Sequence, residues 1–208
     1  VDDSSRDRTV EVAGRLGIPV MRHLSNLGYG GNQKTCYQAA LAESADVIVM
    51  VHPDNQYDPG MVPLFIKAIV DDGYLAVFGS RMLNRPDALK GGMPRWKFAV
   101  NIALTRLGNS VLGTTLSEFH SGYRAYDRQV FDRLDISRNS DKFVFDIQII
   151  IQLASAGIKI KEIPIPTRYF KDASNIKFTA TVSYGCGMLY NLFLYKLGYF
   201  VSGILKEK

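Results

Sequence analysis

Residues 46–59 read DVIVMVHPDNQYDP, and the abrupt change of character halfway along them decides the fold. Asp46 to His52 is an apolar, largely β-branched run without polar alternation. That is the pattern of a strand covered on both faces in a parallel sheet. From His52 the stretch turns polar, and Pro59 then opens a helix to Asp72, since proline in a first helical turn forfeits no backbone hydrogen bond. Tyr74 to Ser80 (YLAVFGS) is a second buried strand. Upstream, the patterns predict a strand end at Val1–Asp3 and a helix over Asp7–Leu16, with Ser4 or Ser5 as cap and Gly17 as stop. A strand at Pro19–Leu24 and a helix over Gly31–Ser44 follow. Downstream, Asn84–Met93 reads as a loop, Arg95–Leu112 as a helix, Ser121–Tyr126 as a strand and Asp127–Leu134 as a short helix. Lys142–Ala156 is an apolar helix stopped by Gly157, Ile158–Ile165 is a strand, and a final helix lies behind it. Such alternation specifies an α/β layered fold with a parallel or mixed sheet.

With 208 residues, 47% hydrophobic and 22% charged, the chain suits one domain and excludes a disordered or collagen-like protein. Cys36 and Cys186 form neither a CxxC pair nor a zinc pattern, which favours a reducing compartment. The net charge of +5 is unevenly placed: residues 1–157 carry 17 basic and 17 acidic side chains, so the whole excess falls in 158–208. A basic end on a neutral body suits an anionic partner (phosphate, nucleic acid or membrane surface) or is a solvated face. Met188–Leu205 is rich in Leu, Tyr and Phe but interrupted by Asn191 and Lys196. It suits a membrane interface, a core helix or a partner contact rather than a span.

In sheets of this kind ligands gather beyond the carboxyl ends of the strands. Three acid-bearing segments fall there: Asp2-Asp3, His52–Asp58 and Glu118–Arg124. In the second, His52, Asp54 and Gln56 alternate, and an extended backbone sends alternate side chains to one face. Imidazole, carboxylate and amide oxygen together suit Mg2+ or Mn2+, with coordination positions left for a diphosphate. The plainer alternative is a polar turn in which Asp58 caps the next helix. NLGYGGNQK (26–34) sets Gly28, Gly30 and Gly31 before a helix, where backbone N–H groups can approach a phosphate. It fits neither the P-loop nor the dinucleotide fingerprint, and a simple loop-to-helix junction accounts for it. In EFHSGYR (118–124), Glu118 suits a general base and Arg124 a phosphate ligand, or the two form a buried ion pair. The absence of GxSxG and HExxH removes support for nucleophile-type and zinc hydrolases.

Taken in order, VDDSSRDRT, NLGYGGNQK, HPDNQYDP, GSR, SGYRAYDR and EIPIPTRYF resemble the family 2 glycosyltransferases over residues 1 to about 185. The likeness is strongest to the branch of dolichol-phosphate mannosyltransferase and polyprenyl-phosphate glycosyltransferases. The resemblance implies a GT-A fold: a mixed, mostly parallel sheet flanked by helices, here with the family's first strand missing because the chain opens at the second. It implies a nucleotide-sugar donor and Mg2+ or Mn2+. Asp3, with Asp2 beside it, matches the acid that meets the nucleotide base. Gly30, Lys34, Asp54 and Arg81 fall on the donor side, and Asp54, Gln56 and His52 on the metal. His52 stands where the family's DxDxQ motif has its first acid, and it brings no negative charge. Glu118 and Arg124 are the implied catalytic residues. Arg124, Arg168, Ser174 and Lys177 are the implied acceptor contacts, although the family's RxxGxSK acceptor pattern is not met after Arg168.

The activity implied is inverting sugar transfer to a polyprenyl phosphate at the cytoplasmic face of a membrane. An anionic phosphate needs no base, whereas a hydroxyl acceptor does, and Glu118 is then the candidate. A non-catalytic nucleotide-sugar-binding module stays open, because His52 departs from the metal motif. Nucleic acid is not an expected partner, since the basic residues are not interleaved with aromatics on one face. Residues 1–180 are expected to form the GT-A-like domain, and 181–208 a basic, aromatic helix at a membrane interface.

Overall fold

The computed structural model describes residues 1–54, 56–166 and 178–198, the side chains of 178–181 aside. Four strands, β1 (Val47–Met50), β2 (Ala76–Ser80), β3 (Arg124–Asp127) and β4 (Ile160–Pro164), form one sheet in the order β1-β3-β2-β4. β3 runs antiparallel to both β1 and β2, while β4 is parallel to β2. Three strands therefore point one way with β3 inserted against them. The sheet is mixed and mostly parallel in direction, although two of its three ladders are antiparallel. Of the strands expected at Val1–Asp3 and Pro19–Leu24, a single parallel bridge forms, Asp2 to Arg22.

The helices are α1 (Thr9–Arg15), α2 (Tyr29–Ala42), α3 (Val62–Val70), α4 (Arg85–Lys90), α5 (Arg95–Leu112), α6 (Arg128–Arg133), α7 (Phe145–Ser155) and α8 (Phe178–Lys196). Asn84–Met93, expected as a loop, contains α4. Pro86 sits in its first turn, where proline is tolerated, and the Gly91-Gly92 pair that suggested a loop only ends it. Gly157 stops α7 as expected, with φ at 65°, a left-handed conformation that glycine adopts without steric cost. No helix among the described residues is long and apolar enough to cross a membrane.

Period two along the strands divides the core. Ile48, Ala76, Phe78 and Tyr126 face one way, against α2, α5, α6, α7 and α8. Val77 and Ala125 face the other, against Phe65, Ala68 and Ile69 of α3. α7 is enclosed all round: Ile147, Ile149, Ile150, Ile151 and Leu153 are buried, and each contributes about 1.5–3 kcal/mol. Because β3 is antiparallel, its first residue lies beside the last residue of β1 and the middle of β2. Arg124 is opposite Met50 of β1 and Phe78 of β2. The HPDNQ, GSR and SGYR segments consequently meet at one end of the sheet.

Candidate functional site

His52 leaves β1 on the same face as Ile48 and Met50. Its imidazole lies edge-on to Tyr29, 6.1 Å between ring centroids, and 5.7 Å from the ring of Tyr57. The third wall is Gly122 of SGYR. A Cβ there would lie 2.5 Å from His52 Cε1 and 2.7 Å from Nε2. Nε2 is buried without a hydrogen-bond partner. Burial pushes the imidazole pKa down, against the opposing charges of Asp146 and Asp54, so His52 is neutral at physiological pH. Of the three residues expected to ligate a metal, His52 therefore has one nitrogen edge taken up by packing. Asp54 accepts from the backbone N–H of Gln56 at 3.1 Å, so the polar turn has formed, and Asp58 accepts from Gly60 N at 2.8 Å, capping the next turn as the alternative reading required. Among the described residues no three His, Cys, Asp or Glu side chains are grouped to hold a metal ion. Of the expected set, the Asp54 carboxylate and the Gln56 amide remain as candidate ligands. That fits an open site in which substrate phosphates complete the coordination, the usual arrangement for Mg2+.

Arg124 corrects an expectation. Its side chain has no exposed surface. Nε donates to Ser121 O at 2.9 Å, Nη2 to Phe119 O and Nη1 to Asp146 O, both at 3.2 Å. The guanidinium lies 4.5 Å over the Phe78 ring, and Asp146 Oδ1 is 3.3 Å from Nη1. Every approach for an acceptor phosphate is filled by this chain, so Arg124 staples the 119–121 backbone instead of binding substrate. Its ionic partner is Asp146 and not Glu118. Asp146 also accepts from Tyr29 Oη at 3.0 Å, joining α7, α2 and β3 beside His52. Sequence reasoning passed over Asp146; the signal was an isolated acid in the first turn of an otherwise apolar helix.

Glu118 corrects another. Its Oε2 accepts from Arg81 N at 2.9 Å and Nε at 3.1 Å; Oε1 accepts from Arg81 Nη2 and, at 2.8 Å, from Asn101 Nδ2. Burial alone would raise its pKa, but the guanidinium and hydrogen bonds of Arg81 outweigh that and hold the carboxylate below its usual range. A buried, saturated, weakly basic carboxylate is unsuited to proton abstraction. Arg81, expected at the donor phosphates, has a side chain only 5% exposed, and its Nη2 also donates to His120 O at 3.1 Å. His120 Nδ1 is 3.0 Å from Tyr184 Oη of α8, while its Nε2 is buried without a partner. Burial pushes the His120 pKa down to about 4, against the pull of Glu118.

On the donor side, Asp3 is spent on its own loop. Its oxygens accept from Leu27 N at 2.8 Å and Gly28 N at 2.9 Å, and His23 Nδ1 lies 2.8 Å away. Asp2 is buried, with Oδ2 accepting from Ser5 N at 3.1 Å and Oδ1 without a partner. Gly30 and Lys34 are corrected as donor contacts. Gly30 N donates to Asp141 O at 2.8 Å, and a Cβ there would collide with Ser140 O. Lys34 Nζ donates to Ser137 O at 3.0 Å, to Asn139 O and to Asp141 at 2.8 Å. The glycine-rich turn thus cradles the 137–141 loop and no phosphate. Arg168, Ser174 and Lys177 lie outside the described residues.

Residues 1–135 match the family described as Glycosyl transferase family 2. The chain is 32% identical over 166 residues to the dolichyl-phosphate hexose transferase of Haloferax volcanii, covering 80% of this chain and 68% of that protein. It is 26% identical over 215 residues to the UDP-N-acetylglucosamine–dolichyl-phosphate N-acetylglucosaminyltransferase of Methanococcus voltae, covering 95% and 84%. Among solved structures, glucosyl-3-phosphoglycerate synthase from Mycobacterium tuberculosis, in complex with Mn2+, UDP-glucose and glycerol 3-phosphate, superposes with a TM-score of 0.69 at 18% identity. That match covers 98% of this chain and 69% of that one, a likeness of fold.

Proposed function

The chain belongs to glycosyl transferase family 2, and on that footing we propose that it moves a sugar, with inversion, from a nucleotide-sugar donor to a polyprenyl phosphate at the cytoplasmic face of a membrane. Relatives named for dolichyl-phosphate acceptors support the acceptor class, and the UDP-glucose bound by the structural neighbour supports the donor class. The observation that carries the reading is the state of Glu118. The acid that a hydroxyl acceptor would need as base is buried against Arg81 and held ionised. A phosphate acceptor arrives with an anionic oxygen and needs no proton removed.

Asp54 and Gln56 are the residues proposed to hold Mg2+ or Mn2+, which when bound offsets the charge developing on the departing diphosphate. Neutral His52 adds no positive charge beside Asp54 and shapes the wall there with Tyr57 and Gly122. Asp2, whose Oδ1 has no partner, is the acid of the pair left to meet the nucleotide base, with Asp3 fixing the turn behind it. Arg168, Ser174 and Lys177 are proposed as contacts to the acceptor phosphate. The test is a panel of labelled nucleotide sugars offered with and without a polyprenyl phosphate, in Mg2+ and in Mn2+. Label entering the lipid phase only with the phosphate supports the proposal. Donor binding by calorimetry without transfer from any sugar overturns it in favour of a binding module.

A further inference from the structure

We propose that Phe143 is a platform for the sugar of the donor: its open ring stacks on the apolar face of a pyranose, and the NLGYGGNQK turn sets its position. This deepens the reading above and rests on it. Phe143 stands two residues before α7 and is 39% exposed, in a stretch where Phe145, Ile147 and Ile149 are buried. Its ring is stacked on Tyr29, 4.9 Å between centroids at an interplanar angle of 27°. Tyr29 stands edge-on to His52, and His52 lies against Tyr57. The four rings form one wall that runs from solvent at Phe143 to the buried ring of Tyr57. The wall passes His52, two residues before Asp54.

The loop that carries Phe143 is held from three helices. From α2, Lys34 Nζ reaches Ser137 O, Asn139 O and Asp141, and Gly30 N donates to Asp141 O. The turn before α2 lies so close that a Cβ at Gly28 would stand 2.7 Å from Asp141 O. From α7, Gln148 Oε1 accepts from Ser140 N at 2.7 Å, and from α8, Gly187 faces Val144. Tyr29, the ring beneath Phe143, is fixed in turn by its hydroxyl on Asp146. A ring presented on a backbone fastened this way loses little further entropy when a ligand covers it. The ring C–H bonds of a pyranose form a flat apolar face that suits an aromatic ring, while its hydroxyls stay at the rim. Position selects the sugar over the base. Asp2, the acid proposed to meet the base, is tied to Ser5 and Arg22 in the 1–22 segment. Phe143 lies beyond Tyr29 on the wall beside Asp54, where the other end of a diphosphate held by Asp54 carries its sugar.

The test compares each nucleotide sugar with its nucleoside diphosphate, because only the first reaches Phe143. UDP-glucose and UDP-N-acetylglucosamine against UDP, and GDP-mannose against GDP, are titrated calorimetrically in Mn2+ into the parent chain, Phe143→Ala, Phe143→Tyr and Lys34→Met. Transfer from the same donors to a polyprenyl phosphate is run in parallel, and circular dichroism checks that each variant keeps the fold. Phe143→Ala should weaken binding of the nucleotide sugar about tenfold, raise KM more than it lowers kcat, and leave the nucleoside diphosphate unaffected. Phe143→Tyr keeps the ring and should restore binding. Lys34→Met releases the loop and should weaken the nucleotide sugar while sparing the nucleoside diphosphate. An equal loss with and without the sugar puts Phe143 on the nucleoside, and no loss in either puts it outside the site; both results overturn the platform. Transfer by the parent in either event leaves the functional reading standing. A sugar-specific loss in a chain whose parent transfers to no acceptor supports the platform and overturns the functional reading alone. Binding of none of the three nucleotide sugars by the parent overturns both.

Discussion

Gly122→Ala is the substitution that tests most sharply how the site is assembled. Its added Cβ would lie 2.5 Å from His52 Cε1 and 2.7 Å from Nε2, about an ångström inside ordinary contact. The backbone at 122 is not left-handed, so alanine is not excluded by its own conformation and the whole cost falls on the imidazole. That ring cannot swing away freely, because Tyr29 and Tyr57 hold two of its other sides. Overpacking of this kind costs about 1–3 kcal/mol, and at this chain length each kcal/mol lowers Tm by about 2–4 °C. Thermal and urea unfolding should therefore show Gly122→Ala destabilised by several degrees. In His52→Ala the space is vacated, so adding Gly122→Ala should cost little, a coupling of about 1–2 kcal/mol in the double-mutant cycle. A Gly122→Ala protein within about 0.5 kcal/mol of the parent, or strictly additive effects, would refute the packing of HPDNQ against SGYR.

Two further outcomes follow from the buried charges. Glu118→Ala strands the Arg81 guanidinium and Asn101 in the interior and should lower urea-unfolding stability by about 3–5 kcal/mol. Glu118→Gln, which keeps acceptor capacity, should be milder. A Glu118→Gln protein as stable as the parent yet slowed about 100-fold or more in transfer would instead restore Glu118 as a base. His120 has a native pKa of about 4 against an ordinary 6.5, so as pH falls below 6.5 the unfolded chain takes up its proton first. Stability should decline between pH 6.5 and 4 by on the order of 3 kcal/mol from this group. Tm measured across that range should fall less steeply in His120→Asn, and parallel slopes would contradict the assignment.

The secondary structure was legible wherever burial on both faces, proline at a helix start or glycine at a helix end left a local signature, as at 46–52, 59–72 and 142–157. α4 was missed because Pro86 and the Gly91-Gly92 pair are punctuation marks of helix ends as much as of loops. Motif order pointed to the right family, but motif residues were assigned to ligands too readily. Lys34, Arg124 and Glu118 carry charges that look available in a linear string. Their partners (the 137–141 backbone, Asp146 and Arg81) lie 22 to 107 residues away in sequence, a distance spacing cannot read. The antiparallel insertion of β3 brings Arg124 between Met50 and Phe78 and turns it inward. Asp146 and Tyr184 became visible only once α7 and α8 were folded over that end of the sheet.

Whether the acceptor supplies its own negative oxygen is most directly measured by offering one donor with matched polyprenyl phosphate and polyprenol at neutral pH and comparing initial rates. Sugar should pass to the phosphate ester and not detectably to the alcohol, with no loss of rate traceable to protonation of Glu118 on mild acidification. Comparable rates on the alcohol would show a working general base in the site and contradict the mechanism.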